Sequence, residues 1–275
     1  IQQHRAAPDY SLRQSSESPL PRRLLREPCV WAIIAGHVGC NYAWYVMLSW
    51  MPTFFKSRHN LDLANNPLIL SSPYMASWFG GVLGGRVSDA LVARGFRTRQ
   101  VRKLMQIIGA LGNAMLLQLA TRASTPGMAA MWISFAAFAG KLQNSGFWVN
   151  MADVCPETAG TVMGMSNTVA TIPGIVGQPI TQSILDRAGG EQSDSAWSIA
   201  FGVGGIVALA GSAVFVVFGD DVSLDRAEAE EVISTSTSEI SCHNSASLNC
   251  STGGIPGGTS PAEARVQEGL PLNSA

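Results

Sequence analysis

Charge is scarce in this chain. Asp, Glu, Lys and Arg make up 13% of its residues, against about 25% in ordinary soluble domains. The net charge of −1 points to no nucleic-acid or other charged macromolecular partner. Close cysteine pairs are also lacking. Cys29, Cys40, Cys155, Cys242 and Cys250 are too scattered to read as a disulfide framework or a metal site. No Walker loop, GxSxG elbow, HExxH pair or dinucleotide fingerprint occurs. The enzyme classes those motifs mark drop out; no catalytic residue, metal or cofactor is assigned, and the chain is read as a non-enzyme. The alternating pattern of a membrane β-barrel is missing. Residues 1–28 are polar, rich in Arg, Pro and Ser, and hold no apolar core of the signal-peptide kind.

What the chain has instead is apolar length. The hydrophobic fraction is 47%, gathered in blocks longer than a soluble core helix uses. Six blocks, near residues 30–55, 68–92, 104–121, 128–151, 159–185 and 197–218, can each cross a bilayer, which takes about 20 apolar residues. Backbone polar groups in lipid must be satisfied within the segment, so the spans are expected to be helices. Charges fall in the gaps, as their cost in hydrocarbon requires. The fold class expected is therefore an all-α membrane protein, with a six-helix bundle over residues 29–219.

Basic residues set the orientation. Arg22, Arg23 and Arg26 precede the first span, and Arg94, Arg97, Arg99, Arg102 and Lys103 fill the second gap. The first, third and fifth gaps carry only Lys56, Arg58, Arg122 and Arg187. The strongly basic side is expected to be cytosolic, with both termini. Residues 220–275 open on Asp220, Asp221, Asp225, Glu228, Glu230 and Glu231 and continue in Ser, Thr, Gly and Pro. Such a segment buries too little apolar surface to fold, so a disordered cytosolic tail is expected. Asn249-Cys250-Ser251 matches a glycosylation sequon, which a cytosolic tail would leave unused.

The polar residues inside the spans carry the chemistry. In WAIIAGHVGCNYAWYVMLSWMPTFF, His37, Asn41, Trp44 and Leu48 share one helical face. His37 titrates near neutral pH and can relay a proton, or it can sit neutral, bonded to a neighbouring helix. Tyr45 counts with the pathway, or with Trp50 in an interfacial belt. In MAAMWISFAAFAGKLQNSGFWVNM, Lys141 falls in mid-span, where a lone ammonium costs about 2.5–3.5 kcal/mol. It needs a wet cavity, a bound anion, an acid partner, or a path for snorkelling. On an unbroken helix Asn144, Ser145 and Trp148 share its side. Gly80, Gly81, Gly84 and Gly85 in the second span read as close helix packing, as do most small residues of AGTVMGMSNTVATIPGIVGQPITQSIL. Asn167 there can bond across helices or touch substrate, and Pro173, Gly174 and Gly177 suggest a bend. Asp89 and Arg94, at the membrane edge, are candidates for a gating ion pair. The third and sixth spans hold no ionisable residue away from their edges and read as lipid-facing support.

Four stretches together resemble a known family: His37 to Phe55, Gly85-Arg86-Val87-Ser88-Asp89, KLQNSGFWVN from Lys141, and AGTVMGMSNTVATIPGIVG from Ala159. They are similar to the C-terminal half of the anion:cation symporter family of the major facilitator superfamily. That family includes sialic acid, vesicular glutamate and plant plastid phosphate transporters, and the pattern is nearest its plant and algal phosphate-transporter-like branch. The resemblance implies two six-helix halves around a central cavity with alternating access. It makes the six spans the second half, with the first and fourth lining the cavity. It makes the Asp89 segment a second copy of the gating motif, its basic run displaced to Arg97–Lys103.

The reading that follows is a secondary transporter of inorganic phosphate or small organic anions, driven by sodium or protons. Its expected partners are a lipid bilayer, the anion, the coupling ion and an N-terminal six-helix half that this chain does not contain. Plastid, vacuolar and plasma membranes all fit. The chain is expected to be a fragment, residues 1–28 being the end of the loop between halves. Two alternatives stand: a non-transporting half that regulates a partner, and a carrier of carboxylates or sugar acids.

Overall fold

The computed structural model describes residues 24–224. The expectations for the stretch before residue 24, for the tail beyond residue 224, and for Cys242, Cys250 and the Asn249 sequon lie outside the described residues. Seven α-helices occur among the described residues: α1 (Pro28–His59), α2 (Pro67–Ala93), α3 (Thr98–Thr121), α4 (Pro126–Leu142), α5 (Phe147–Val154), α6 (Ala159–Arg187) and α7 (Asp194–Phe218). A 3-10 turn, Gln143–Ser145, joins α4 to α5, so the fourth expected span is present but broken. No strand occurs among these residues.

Local chemistry sets the ends. α1, α2 and α4 each start on a proline, whose absent N–H is one the first turn cannot use. Thr125 accepts from the Met128 amide at 3.3 Å, and Ser193 from that of Ala196 at 3.4 Å; both are N-caps. α1 ends on Asn60 in the left-handed region, φ 49°. Beyond α2, Gly95 takes φ 93°, a conformation that side chains resist.

α1 lies at the centre, packed on α7, α6 and α5; α4 packs on α2 and α3, and α3 on α7. Small residues bring α1 and α7 into backbone contact. A Cβ added at Gly39 would meet the Val207 carbonyl oxygen at 2.9 Å, and one at Gly211 would meet the Ala35 carbonyl. Two apolar clusters fill the interior. Met47, Met51, Phe54, Phe55, Trp197 and Phe201 form much of the one at the far end. Ile33, Phe147, Val154 and Phe215 belong to the one near the basic end.

The outside is apolar, and the largely apolar interior also holds polar groups. Trp78, Phe79, Met115, Ile175, Ile206 and Val217 are exposed, while Gln106, Asn113, Gln143, Ser166 and Ser212 are buried. A surface this apolar needs a lipid or protein neighbour. By length and composition alone, two helices among the described residues, α3 and α7, are apolar enough to cross a membrane. The other spans are diluted by the histidine, asparagines, serines and prolines that sit inside them.

Two expectations are corrected. α3 begins at Thr98 rather than near residue 104, so Arg102 is a helix residue and is buried. α3 and α7 are therefore not mere lipid-facing support: Arg102, Gln106 and Asn113 of α3 and Ser212 of α7 point inward. α6 stays helical through Pro173 and Pro179. Two of its glycines serve packing, Gly174 against the Tyr45 ring and Gly177 against Val46 and Tyr42.

Candidate functional site

α1 carries most of the candidate side chains. His37 is buried, and its Nδ1 lies 2.8 Å from Ser166 Oγ on α6. Its ring stacks on Phe147 with centroids 4.9 Å apart and meets the edge of Trp148 at 5.2 Å. One turn on, half-buried Asn41 donates from Nδ2 to the Ala170 carbonyl at 3.0 Å. Tyr45 covers Gly174 on the same helix, and Gln178 donates to Ser49 at 3.1 Å. The α1–α6 seam is thus hydrogen-bonded along its length, and His37 is anchored by a neighbouring helix. An anchored imidazole can still donate, accept or carry a proton. Trp50, half-buried, sits edge-on to buried Trp197 and packs against the core.

Lys141 is the next-to-last residue of α4. Fifteen residues of helix, about 22 Å, separate it from Pro126. α5 continues the span beyond the turn, which places Lys141 near the midpoint between Pro126 and Val154. It is half-buried, with Nζ 4.6 Å from the centre of the Trp44 ring on α1. The electron-rich ring face stabilises the cation by about 1–2 kcal/mol when water is excluded, less than burial of the charge costs. Among the described residues no carboxylate pairs with Lys141. Trp44 in turn meets the edge of Tyr74 on α2, at 6.1 Å. Trp44, itself backed by Tyr74, thus faces a cation with no carboxylate partner among the described residues.

The remaining candidates scatter. Asn144 is half-buried beside Lys141 in sequence, and Asn167 is exposed on α6. Ser145 is buried against Gly84 of α2, and its carbonyl accepts from Arg102 at 3.4 Å. The 3-10 turn changes the residue-to-residue rotation, which removes Ser145 from the face of Lys141. Asp89 and Arg94 are both exposed and form no ion pair with each other. Five residues apart, they point about 140° away from one another around the helix axis.

Ion pairs at this end form between other residues. Arg102 Nε donates to Asp153 Oδ2 at 2.7 Å and Nη2 to Oδ1 at 3.4 Å, a two-point contact. Its Nη1 donates to Ser88 Oγ at 2.6 Å. One guanidinium thus ties α2, α3, the turn and α5 together. Arg99 reaches Asp220 at 3.6 Å, and its amide donates to Asp221 at 3.2 Å. The opening acids of the expected disordered tail therefore lie against the basic end. At the far end Arg58 pairs with Asp194, beside an open cleft of about 1080 Å³ lined by Lys56, Asn60, Asp62 and Glu191 among others. Sequence reasoning missed Arg102, Gln106 and Asn113. Their signal was a stripe at 102, 106, 109, 113 and 117, the buried face of α3.

Residues 3–178 match the Major Facilitator Superfamily. Three similar proteins are plant transporters. "Probable anion transporter 4, chloroplastic" of Oryza sativa subsp. japonica is 32% identical over 71% of this chain and 32% of its own length. "Ascorbate transporter, chloroplastic" of Arabidopsis thaliana is 32% identical over 71% of this chain and 35% of its own. "Sodium-dependent phosphate transport protein 1, chloroplastic", also of Arabidopsis thaliana, is 30% identical over 72% of this chain and 37% of its own. The chain spans about a third of the length of each.

Proposed function

The chain belongs to the major facilitator superfamily, a family of multi-pass membrane proteins, and from that premise we propose that its six spans form one wall of the path of a secondary active anion transporter. Lys141 carries the reading. A cation held at bilayer depth by an aromatic face, with no carboxylate partner among the described residues, is tolerable beside a wet crevice that admits anions. In this reading the opposite wall comes from a second six-helix half. The open glycines of α2 and α6 (Gly81, Gly85, Gly160 and Gly164) have nothing within 4 Å of where a Cβ would stand. Such surfaces suit close approach of further helices.

Lys141 supplies charge to the anion, and Trp44 holds it in place. His37 and Asn41 stand on the same wall, and His37 is the group able to take up a proton as the path changes its access. Asn144 and Asn167 offer neutral hydrogen bonds to a solute in the path. Asp89 and Arg94, free of each other at the basic end, are available to groups on the opposite half. Inorganic phosphate is the first cargo to test and a sodium or proton gradient the driving force; the similar proteins are named for anions, and one for sodium-dependent phosphate transport. A second reading, an organic acid as cargo, is favoured by the equal similarity to a protein named as an ascorbate transporter.

The deciding experiment is uptake by the native transporter in proteoliposomes. Labelled phosphate and labelled ascorbate are offered under separately imposed sodium and pH gradients. The reading expects gradient-driven accumulation of one of them and its loss in Lys141→Ala. Uptake unchanged in Lys141→Ala would remove the charge role.

A further inference from the structure

We infer that Gln106 is a positioning residue for His37: it secures the break in the fourth span, and the secured break fixes the imidazole. The transport reading enters only through the consequence for uptake. Gln106 lies on α3 and is fully buried. Its Nε2 donates to Gln143 Oε1 at 3.0 Å and to Ser212 Oγ on α7 at 2.8 Å. Its Oε1 accepts from the Phe147 amide at 3.4 Å. That amide opens α5, after the turn in which the Gly146 amide bonds to the Gln143 carbonyl at 2.9 Å. The first N–H of a helix has no partner of its own, and one left bare in this interior costs about 1–3 kcal/mol. Gln106 supplies the partner from a different helix.

The fit leaves no slack. A Cβ at Gly146 would stand 2.8 Å from Gln106 Oε1 and 2.9 Å from the Arg102 carbonyl oxygen. A Cβ at Gly36, next to His37, would lie 3.3 Å from Phe147 Cβ and 3.4 Å from Gln106 Nε2. So α1, α3, α5 and the turn meet at this amide. Phe147, whose N–H Gln106 holds, is the ring stacked on His37, and Trp148 closes the imidazole edge. Ser166 holds Nδ1 from α6, and the charged residue at the end of α4, just before the turn, is Lys141. Without Gln106 the start of α5 is free to shift, and the aromatic wall of His37 shifts with it.

The test reads His37 directly. The native transporter, labelled with ¹⁵N-histidine and held in lipid nanodiscs, is titrated with pH while the ring nitrogens are followed by NMR; His37→Gln assigns the signals. In Gln106→Leu, which deletes all three bonds, the His37 titration midpoint is expected to move by roughly half a pH unit or more. Ser212→Ala removes one anchor of the amide without emptying the core, and decides the matter if Gln106→Leu does not fold. Ring signals and titrations that superimpose on wild type in the folded variants would overturn the inference. Uptake against pH is measured in parallel. An uptake profile indifferent to both His37 and Gln106 would sink the role of His37 in transport, while the positioning of the ring stands or falls on the NMR titration alone.

Discussion

The Arg102–Asp153 pair allows a stability argument whose sign depends on burial. The Arg102 side chain is 8% exposed and that of Asp153 24%. Removing one partner of a buried pair costs about 3–5 kcal/mol, because the other charge is left uncompensated. The two truncations are not equivalent. In Asp153→Ala the stranded group is a guanidinium with almost no access to water, held by Ser88 Oγ and the Ser145 carbonyl. Neutral dipoles offset only part of the loss, so a cost near 3–4 kcal/mol is expected. In Arg102→Ala the stranded carboxylate already reaches solvent and rehydrates, so about 2–3 kcal/mol is expected. The double variant relieves the stranded charge, giving a coupling of roughly 1.5–3 kcal/mol. Arg102→Lys keeps the charge but loses the two-point contact and is expected to recover less than half of the loss. Equilibrium unfolding in mixed detergent micelles, with the four corners of the cycle measured together, gives the numbers. A coupling below about 0.5 kcal/mol, or Arg102→Ala costing more than Asp153→Ala, would refute the reasoning.

Two further outcomes can be checked with the same preparations. Gly211→Ala would place a methyl group on the Ala35 carbonyl and 3.3 Å from Gly39 Cα; it should cost about 1–3 kcal/mol of stability, read by unfolding, and a neutral effect would mean that α1 and α7 are not in backbone contact. Trp44→Leu removes the ring face under Lys141 and about 1 kcal/mol of cation–π stabilisation. A KM for the anion raised roughly five-fold is expected, with Trp44→Phe between it and wild type; uptake kinetics decide, and an unchanged KM would show that Trp44 does not position the lysine.

The spans were legible because bilayer thickness imposes a length that apolar blocks report without any tertiary knowledge. The break in the fourth span was not. It contains no proline, and glutamine, asparagine, serine and glycine in a row read equally as a cavity-facing stretch. The interruption depends on Gln106, which is 37 residues from Gln143 and invisible to local pattern. Ser145 was placed by projecting an unbroken helix from Lys141, and the turn defeats that projection. Arg102 was hidden by its company: among Arg97, Arg99 and Lys103 it looked like loop charge, and only the earlier start of α3 turns it inward. Asp89 and Arg94 are close in sequence, but helical rotation sends them apart. The face of His37, Asn41 and Trp44 was readable because its period is a property of the helix alone. That Trp44 would hold Lys141 required the crossing of α1 over α4, which no single helix encodes.

The central claim is that the charge at position 141 recognises the anion. Equilibrium binding of labelled phosphate, and of labelled ascorbate, to the purified native transporter measures this without the complications of coupling. A charged contact contributes about 1.5–3 kcal/mol, so Lys141→Gln should weaken binding of the recognised anion ten-fold or more. Lys141→Arg, which keeps the charge, should retain most of it. Equal affinities in wild type and Lys141→Gln, in protein shown to be folded, would contradict the account.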